Sequence, residues 1–361
     1  MSEEIHQIHG DRRRGRGAST NASGRFESHA RVEIDDGWWR EAERALRTDV
    51  RLEAPRSAIT RNTSPDVPFD RSINPYRGCE HGCIYCFARP SHAWLGLSPG
   101  LDFETQLVAR PGIGGVLGRE LSRKSYKPAT IAIGTNTDPY QPIEGRYRVM
   151  REVLEVLRDH RHPVGIVTKG TLIERDIDIL SDMAAQGLVH VGVTVTTLDP
   201  GLSRRMEPRV PAPARRLATI RALSEAGIPV RVMLGPVVPG LSDSEMERIM
   251  EAGAEAGAQA ASWIMLRLPR EVADLFQDWM QEHYPDRANR VFGHLRDMHD
   301  GKLYVSDWGR RMRGEGPYAE MLEMRFRVAL KRLGLAKSLP ALRTDQFRVP
   351  PKAGDQLDLF G

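Results

Sequence analysis

Apolar and polar positions alternate along the chain in a pattern that predicts repeated strand–helix units between about residues 72 and 270. Short runs rich in β-branched residues, typical of buried strands, recur before longer stretches with helical spacing. In one such stretch, Val149, Val153 and Leu157 share a single helical face. The predicted strands are Ser72–Asn74, Thr130–Gly134, Val164–Thr168, His190–Thr196, Val230–Leu234 and Trp263–Leu268. The predicted helices are Ile113–Ser122, Arg146–Arg158, Ile173–Gln186, Ala212–Ala226, Asp243–Ala256 and Val272–Gln281.

This alternation predicts an α/β fold in which helices cover a parallel sheet. About six units fit into the roughly 200 residues of the pattern, whereas a full eight-unit barrel needs about 250. We therefore predict a partial, open parallel β/α barrel with an N-terminal extension and a helical C-terminal region.

The segments outside the repeated units differ from the barrel in composition. The first 30 residues contain the RRRGR run at 12–16 and few apolar side chains, which predicts disorder. The predicted divisions are 1–30 as a disordered basic arm, 31–70 as an N-terminal extension with a helix at 37–50, 71–270 as the barrel core, 271–335 as a helical C-terminal region and 336–361 as a flexible tail.

Composition narrows the class of protein further. The chain has 361 residues and contains no run of 18 apolar residues, so we expect no transmembrane helix and no membrane partner. Its first residues are charged and lack the apolar segment of a secretory signal, which predicts a soluble, cytoplasmic protein. A net charge of +4 and a pI of about 9.0 suit an anionic partner such as nucleic acid, although 52 basic and 48 acidic residues make a mixed surface.

The three cysteines all lie in the sequence CEHGCIYC, as Cys79, Cys83 and Cys86. An odd, clustered set cannot form a disulfide framework, and the spacing C-x3-C-x2-C indicates a metal centre. Four-iron clusters usually take four thiolates, so three would leave one iron open to a ligand. The alternative is a structural zinc site completed by His81, in a nucleic-acid-binding protein without catalysis.

The sequence around these cysteines resembles that of a known family. SINPYRGCEHGCIYCFARPSH, IGTNTDPYQPIE and TVTTLDP followed by EPR resemble the radical S-adenosylmethionine (SAM) superfamily, and within it the spore photoproduct lyase-like, DNA repair photolyase-related branch. The resemblance covers roughly residues 60–335. It implies a [4Fe–4S] cluster on the three cysteines, with SAM bound to the open iron.

The resemblance also implies a reaction. An electron from a donor such as ferredoxin or flavodoxin would reduce the cluster, which cleaves SAM to a 5′-deoxyadenosyl radical that abstracts hydrogen from a substrate. In spore photoproduct lyases, a further cysteine returns hydrogen to the product radical. This chain has no fourth cysteine, so either a tyrosine takes that part or the reaction differs.

Ligands of parallel barrels bind at the carboxyl ends of the strands, which selects the first candidate residues. Asn136, Thr137 and Asp138 follow the second strand, where many superfamily members have Gly-Gly-Glu to hold the SAM amino group. We predict Asp138, with Asn136, as the acceptor; the alternative is an ordinary Asn-Asp-Pro turn. Tyr85, beside the last cysteine, is predicted to cover the cluster.

Later strand ends supply further candidates. Lys169 follows the third strand and matches the lysine that, in the related lyases, pairs with the SAM carboxylate; the alternative is a solvated loop lysine. Thr194 and Thr196 share one face of the fourth strand and are candidates for the ribose hydroxyls, although β-propensity also accounts for them. Arg209 is a candidate for a substrate phosphate or a partner of Glu207.

Two other stretches bear on the substrate and partners. KLYVSDWGRRMR at 302–313 mixes aromatic and basic residues, which suits DNA contact or a solvated basic end with core aromatics. The tail residues Gln356, Leu357, Leu359 and Phe360 resemble the peptide with which bacterial repair proteins bind the sliding clamp. The alternative is docking of this tail on its own barrel. DNA or a nucleic-acid lesion is thus the leading substrate class, and a protein or small molecule the alternative.

Overall fold

The computed structural model describes residues 13–27 and 46–351. Within them, short β-branched runs form strands, and the amphipathic stretches between them form helices. The strands are β1 Asp49–Leu52, β2 Ile59–Arg61, β3 Arg71–Ile73, β4 Tyr76–Arg77, β5 Gln106–Ala109, β6 Ile131–Ile133, β7 Val164–Thr168, β8 Val189–Thr194, β9 Val230–Val237 and β10 Ala260–Met265. The helices are α1 Asp102–Thr105, α2 Ile113–Leu121, α3 Glu144–Tyr147, α4 Val149–Asp159, α5 Ile177–Ala185, α6 Pro200–Met206, α7 Pro213–Glu225, α8 Met246–Glu255, α9 Glu271–His283, α10 Pro285–Met298 and α11 Pro317–Leu333.

The main sheet has seven strands in the order β10-β9-β8-β7-β6-β3-β2. Every neighbouring pair is parallel except β2 and β3, so six parallel strands run together as the alternation predicted. No further strand pairs with the outer edges of β2 and β10 within the described residues, where β10 makes only a single-residue bridge from Ala260 to Ala336, which leaves the barrel open. The prediction of a partial parallel β/α barrel is confirmed.

Helix boundaries differ from the predictions where the backbone leaves helical geometry. The stretch predicted as one helix from Arg146 divides at Arg148, whose φ of 54° separates the single turn α3 from α4. The apolar face of α4 is buried as expected, with Val153 and Leu157 fully inaccessible. The end of the helix predicted at 37–50 is wrong, because β1 begins at Asp49; residues 37–45 lie outside the described part.

A second, three-stranded sheet was not predicted, and it determines where the cysteines lie. Its order is β1-β5-β4, with β4 and β5 antiparallel, so that Tyr76 pairs with Ala109 and Arg77 with Val108. The chain between β4 and β5, residues 78–105, is therefore a closed loop that contains all three cysteines; we call it the cysteine loop. Two-residue strands such as β4 have no periodicity that a sequence pattern can reveal.

Residues 13–27 differ from the disorder predicted for the first 30 residues. Arg16 is buried and donates to the backbone oxygen of Glu104 at 2.8 Å and to Thr48 Oγ1 at 2.9 Å. The amides of Gly17 and Ala18 each donate to the Glu104 carboxylate at 2.9 Å. A Cβ at Gly17 would overlap the carbonyl oxygen of Gly82, so this strap, residues 16–20, lies directly on the cysteine loop.

No helix in the described ranges is long and apolar enough to cross a bilayer.

We expect Glu104→Gln to destabilise the protein and release the strap. The buried Glu104 carboxylate accepts from two strap amides and pairs with buried Arg89 at 2.5 Å. Loss of its charge leaves Arg89 uncompensated, at a cost on the order of 3 kcal/mol in the free energy of unfolding. Urea unfolding measures that change, and limited proteolysis detects new cleavage within 13–27.

Glu155→Gln is the matched control, because this side chain is half exposed and forms only a surface ion pair with Arg151 at 3.4 Å. Its cost should stay within about 0.5 kcal/mol. Equal stability of the two variants would contradict the role assigned to Glu104.

Candidate active site

The cysteine loop adopts a backbone that its glycines make accessible. Gly78 and Gly82 have φ values of 72° and 65°, in the left-handed region that side chains with a Cβ rarely occupy. A Cβ at Gly82 would also come within 2.6 Å of the Glu104 carboxylate. The three cysteines that follow these turns are unpaired thiols; Cys79 and Cys83 are buried, and Cys86 is half-buried.

Arg89 holds the loop from inside, and the sequence analysis did not select it. This guanidinium is fully buried and donates to the carbonyl oxygens of Gly82, Cys83 and Gly100 at 2.9–3.2 Å. Glu104 supplies its counter-charge. The available signal was an arginine followed by proline three residues after the last cysteine, which by itself also describes an ordinary helix start.

The segment after β6 fixes the other side of the loop. Thr137 Oγ1 donates to the carbonyl oxygen of Gly78 at 2.7 Å. The side-chain oxygen of Gln141 accepts from the Glu80 amide at 2.7 Å, and its nitrogen donates to Thr137 Oγ1 at 2.9 Å. Thr137, weighed beside Asp138 as an acceptor for SAM, is thus a structural support of the cysteine loop.

The carboxylate of Asp138 also accepts hydrogen bonds from other residues of the protein. Its carboxylate accepts from Thr168 Oγ1 at 2.6 Å, from the Lys169 amide at 2.7 Å and from the Tyr140 amide at 2.9 Å. It lies 3.4 Å from His81 Nδ1. Burial disfavours charge on both partners, but their attraction lowers the pKa of Asp138 to about 2 and raises that of His81 to about 10. The Asn-Asp-Pro turn considered as the alternative therefore exists, and Asp138 links it to the loop and to β7.

Tyr85 and Thr196 meet at a buried carboxylate that the sequence analysis did not assign to the site. The Tyr85 hydroxyl donates to Glu207 and lies 3.4 Å from Thr196 Oγ1, which itself donates to Glu207 at 2.7 Å. Glu207 forms a fully buried ion pair with Arg216 at 2.8 Å. The hydroxyls of Tyr85 and Thr196 are thus used to join the cysteine loop to the end of β8.

Three of the predicted residues keep polar groups available at the strand ends. Lys169 forms no ion pair with a described residue; its Nζ lies 5.7 Å from the centre of the Tyr85 ring. Asn136 makes one long contact, 3.5 Å from its amide nitrogen to Ser91 Oγ. The hydroxyl of Thr194 forms no hydrogen bond to any part of the chain that the structure describes, although its carbonyl oxygen accepts from Arg216 at 3.0 Å.

Arg209 and two arginines of the 302–313 stretch form ion pairs within the described residues. Arg209 contacts Glu80 at 2.9 Å rather than Glu207. In the C-terminal stretch, Arg310 pairs with Asp300 at 2.6 Å and Arg311 with Asp66 at 2.5 Å. Trp308 remains 61% exposed. The tail residues Gln356, Leu357, Leu359 and Phe360 lie outside the described residues.

The donor set fits an iron–sulfur cluster. Burial raises the pKa of the Cys83 and Cys86 thiols, so ionised thiolates here need the positive charge of bound metal. No three Cys, His, Asp or Glu side chains within 13–27 and 46–351 are arranged to hold a single metal ion. Thiolates that bind separate irons of a cluster need not converge on one point. His81, which zinc would require as fourth ligand, lies 3.4 Å from the Asp138 carboxylate and also interacts with Cys79.

Comparison with solved structures shows which fold this is. Spore photoproduct lyase complexed with dinucleoside spore photoproduct superposes with a TM-score of 0.55 over 79% of each chain, at 14% identity. A mutant of that enzyme, with bound AdoMet and the dinucleoside spore photoproduct, gives the same TM-score at 13% identity. At such identities, the likeness establishes the fold alone.

Relatives and a family model complete the comparison. An uncharacterized protein of Mycobacterium tuberculosis H37Rv is 41% identical over 226 residues, which are 62% of this chain and 66%, just under two thirds, of that protein. An uncharacterized protein of Methanocaldococcus jannaschii is 26% identical over 214 residues, 59% of this chain and 76% of its own.

The family model of the radical SAM superfamily matches residues 73–253, which is half of the chain. The match begins in β3 and ends in α8, so it takes in the cysteine loop and the parallel strands up to β9. This superfamily works with a [4Fe–4S] cluster and S-adenosylmethionine, which are therefore the cofactors of this protein. The chain belongs to the radical SAM superfamily.

Proposed function

We propose that the enzyme reductively cleaves SAM at a [4Fe–4S] cluster held by Cys79, Cys83 and Cys86 and that its substrate is DNA or a nucleic-acid lesion. The observation that carries the first part is a loop whose backbone is fixed before any cofactor binds. Arg89, Thr137 and the neighbouring strands hold its amides and carbonyls, and the thiols remain unpaired. Such pre-organisation lowers the cost of assembling the cluster.

The cofactor pair supplies a 5′-deoxyadenosyl radical when reduced by one electron, as the resemblance to the superfamily implies. The residues of the chain bind and orient SAM. Lys169 is placed to attract the carboxylate, since it carries a charge without an ion-pair partner among the described residues. Asn136 and Thr194 offer an amide and a hydroxyl for the amino group and the ribose.

The other predicted residues contribute by position. Asp138 and Thr196 are occupied by internal donors and acceptors, so we propose that they brace the strand ends against the cysteine loop. Tyr85 closes the loop against the buried Glu207–Arg216 pair. A rigid, dry surround protects a radical from side reactions with water.

Exposed aromatic residues within the cysteine loop support a nucleic-acid substrate. Trp94, eight residues after Cys86, is 74% exposed and packs on Phe26 with ring centroids 4.5 Å apart. Phe87, next to Cys86, is exposed and lies under the Arg267 guanidinium at 4.6 Å. Aromatic faces and arginine planes stack on bases irrespective of sequence. The shared fold with an enzyme complexed with dinucleoside spore photoproduct gives the same proposal independent support.

The proposed partners follow from the reaction and the sequence. A one-electron reductant such as ferredoxin or flavodoxin would supply the electron that reduces the cluster. The tail residues Gln356, Leu357, Leu359 and Phe360 would bind the sliding clamp, which would raise the local concentration of the enzyme on DNA. We place the enzyme in the cytoplasm, where both partners occur in bacteria. Radical chemistry on a protein or small molecule is the alternative that the experiments below separate.

We expect Cys83→Ala to abolish both cluster assembly and formation of 5′-deoxyadenosine. A cluster with only two of its three protein thiolates does not stay bound. Anaerobic reconstitution followed by iron, zinc and sulfide analysis, then dithionite and SAM, measures both effects. Ser181→Ala, on the outer surface of α5, should behave as wild type. Full iron content with persistent 5′-deoxyadenosine in Cys83→Ala would refute the ligand assignment, and zinc in place of iron would favour a non-catalytic protein.

Lys169→Met should weaken SAM binding about tenfold or more, because one charge-assisted contact is worth about 1.5–3 kcal/mol. Equilibrium dialysis of SAM against the reconstituted variant measures the dissociation constant. Lys302→Met, at an exposed position in the C-terminal region, controls for loss of one positive charge. An unchanged affinity in Lys169→Met would remove this lysine from the cofactor site.

Trp94→Ala should reduce affinity for single-stranded DNA by about tenfold, since stacking on one base contributes about 1–3 kcal/mol. Met324→Ala is the control, because this apolar side chain is also exposed but lies on α11, outside the cysteine loop and the 302–313 stretch. Fluorescence anisotropy with a labelled oligonucleotide measures binding, and irradiated DNA tests stimulation of 5′-deoxyadenosine formation. Equal losses in both variants would contradict the proposed surface, and no effect of DNA on turnover would favour a protein or small-molecule substrate.

A further inference from the structure

Polar side chains line the inner face of the sheet, opposite the face that the helices cover. Val191 and Val193 of β8 and Val232 of β9 are buried on the covered face. Side chains alternate along a strand, so His190 and Arg231 lie on the opposite, inner face. The register pairs Arg231 with Gly192 and pairs Gly165 with His190, whose imidazole lies over the missing side chain of that glycine.

Several polar atoms of this inner face are buried without a hydrogen-bond partner in the described structure. They are His190 Nδ1 on β8, Arg231 Nε on β9, Ser262 Oγ on β10 and, just beyond β3, Asn74 Oδ1. Folded proteins satisfy the great majority of such atoms, and each exception requires an explanation. All four line one interior, where a single bound ligand would be a partner common to them.

Arg231 differs from the arginines that are fully buried in the barrel. Arg89 and Arg216 are paired with Glu104 and Glu207. The side chain of Arg231 is half-buried, with its Nε inaccessible, and forms no ion pair or hydrogen bond with any residue in 13–27 or 46–351; partial burial with no opposing charge lowers its pKa. Partial removal of an unpaired cation from water is costly, so its retention indicates a ligand that restores the balance.

The chemistry of the unpaired side chains indicates which kind of ligand would bind there. A guanidinium offers only donors, in a planar fork that matches the two oxygens of a carboxylate or phosphate. Burial and the charge of Arg231 lower the pKa of His190 to about 4, so this imidazole is neutral near pH 7 and has one N–H to donate. The Ser262 hydroxyl also donates. Water would satisfy these hydrogen bonds but would leave the charge uncompensated.

We propose that the barrel interior contains an oxyanion site in which Arg231, with His190 and Ser262, binds a carboxylate or phosphate group. Arg231 lies two residues before Met233, which pairs with Thr194, so the site is one layer of side chains deeper than the strand ends. Lys169 continues the inner face of β7 at its end, and this second cation would help to draw an anion into the barrel. The site does not depend on the proposed function, because it uses neither the cysteines nor the cluster.

Thermal unfolding of the anaerobically reconstituted protein in chloride buffer, with inorganic phosphate added at constant ionic strength, tests the site. A ligand that binds only the folded state raises the melting temperature with a saturating dependence on its concentration. We expect this shift in wild type, a smaller one in Arg231→Lys, and none in Arg231→Met. Without phosphate, Arg231→Met should melt above wild type, since an unpaired buried charge has been removed.

Arg158→Met, which removes an exposed arginine that pairs with Asp159, is the matched control and should retain the phosphate shift. A phosphate shift in Arg231→Met equal to that of wild type would overturn the proposal, and so would the absence of any shift in wild type with phosphate or acetate.

Two further arms identify where the anionic group comes from. If the shift persists with saturating SAM, the site serves an anionic group of the substrate; if SAM removes the shift, the SAM carboxylate binds Arg231 in place of the Lys169 contact proposed above. The same titration on Cys83→Ala separates this inference from the proposed function, because its phosphate shift should remain even if no 5′-deoxyadenosine forms.

Discussion

The buried ion pair between Arg89 and Glu104 is the interaction on which the rest of the site depends. The guanidinium fixes carbonyl oxygens along the cysteine loop, and the carboxylate binds two amides of the strap, so the pair positions both segments together. From this loop, buried polar contacts of Thr137, Asp138 and Glu207 extend to the ends of β6, β7 and β8. Buried polar networks of this kind specify one arrangement of loops, which suits the precise positioning of a cofactor.

The distribution of charge inside the barrel is uneven in a way that suits ligand binding. Arg89, Arg216 and Asp138 are each balanced by a partner of opposite charge. Lys169 and Arg231 have no such partner in the described ranges and lie on the inner face of the sheet. A cavity with low-dielectric walls concentrates the field of such cations and selects for anionic groups. Binding of an anionic cofactor or substrate group would supply the negative charge that the protein itself does not pair with these two cations.

The sequence by itself determined the class of fold and the chemistry. The pattern of apolar residues indicates which face of a strand or helix is buried, because that pattern depends only on residues close together in the chain. The spacing of Cys79, Cys83 and Cys86 is equally local, and it indicates a shared metal centre. The candidates after the strands were found because parallel strands end at one edge. Which of them keeps a free polar group was not predictable, since Asp138 and Thr196 are occupied by residues distant in sequence.

Only the tertiary structure decided the remaining features. The sequence of the strap at 16–20 predicts a disordered basic arm. The strap is held in place by backbone amides that donate to Glu104, 86 or more residues away, and a sequence pattern does not reveal such contacts. The local sequence predicts only a strand position for Arg231 and a helix start for Arg89. Whether a buried charge is paired or unpaired depends on contacts across the sheet, which no local pattern records. Periodicity specifies which residues are buried, whereas the long-range partners of buried polar groups are fixed only when the chain is folded.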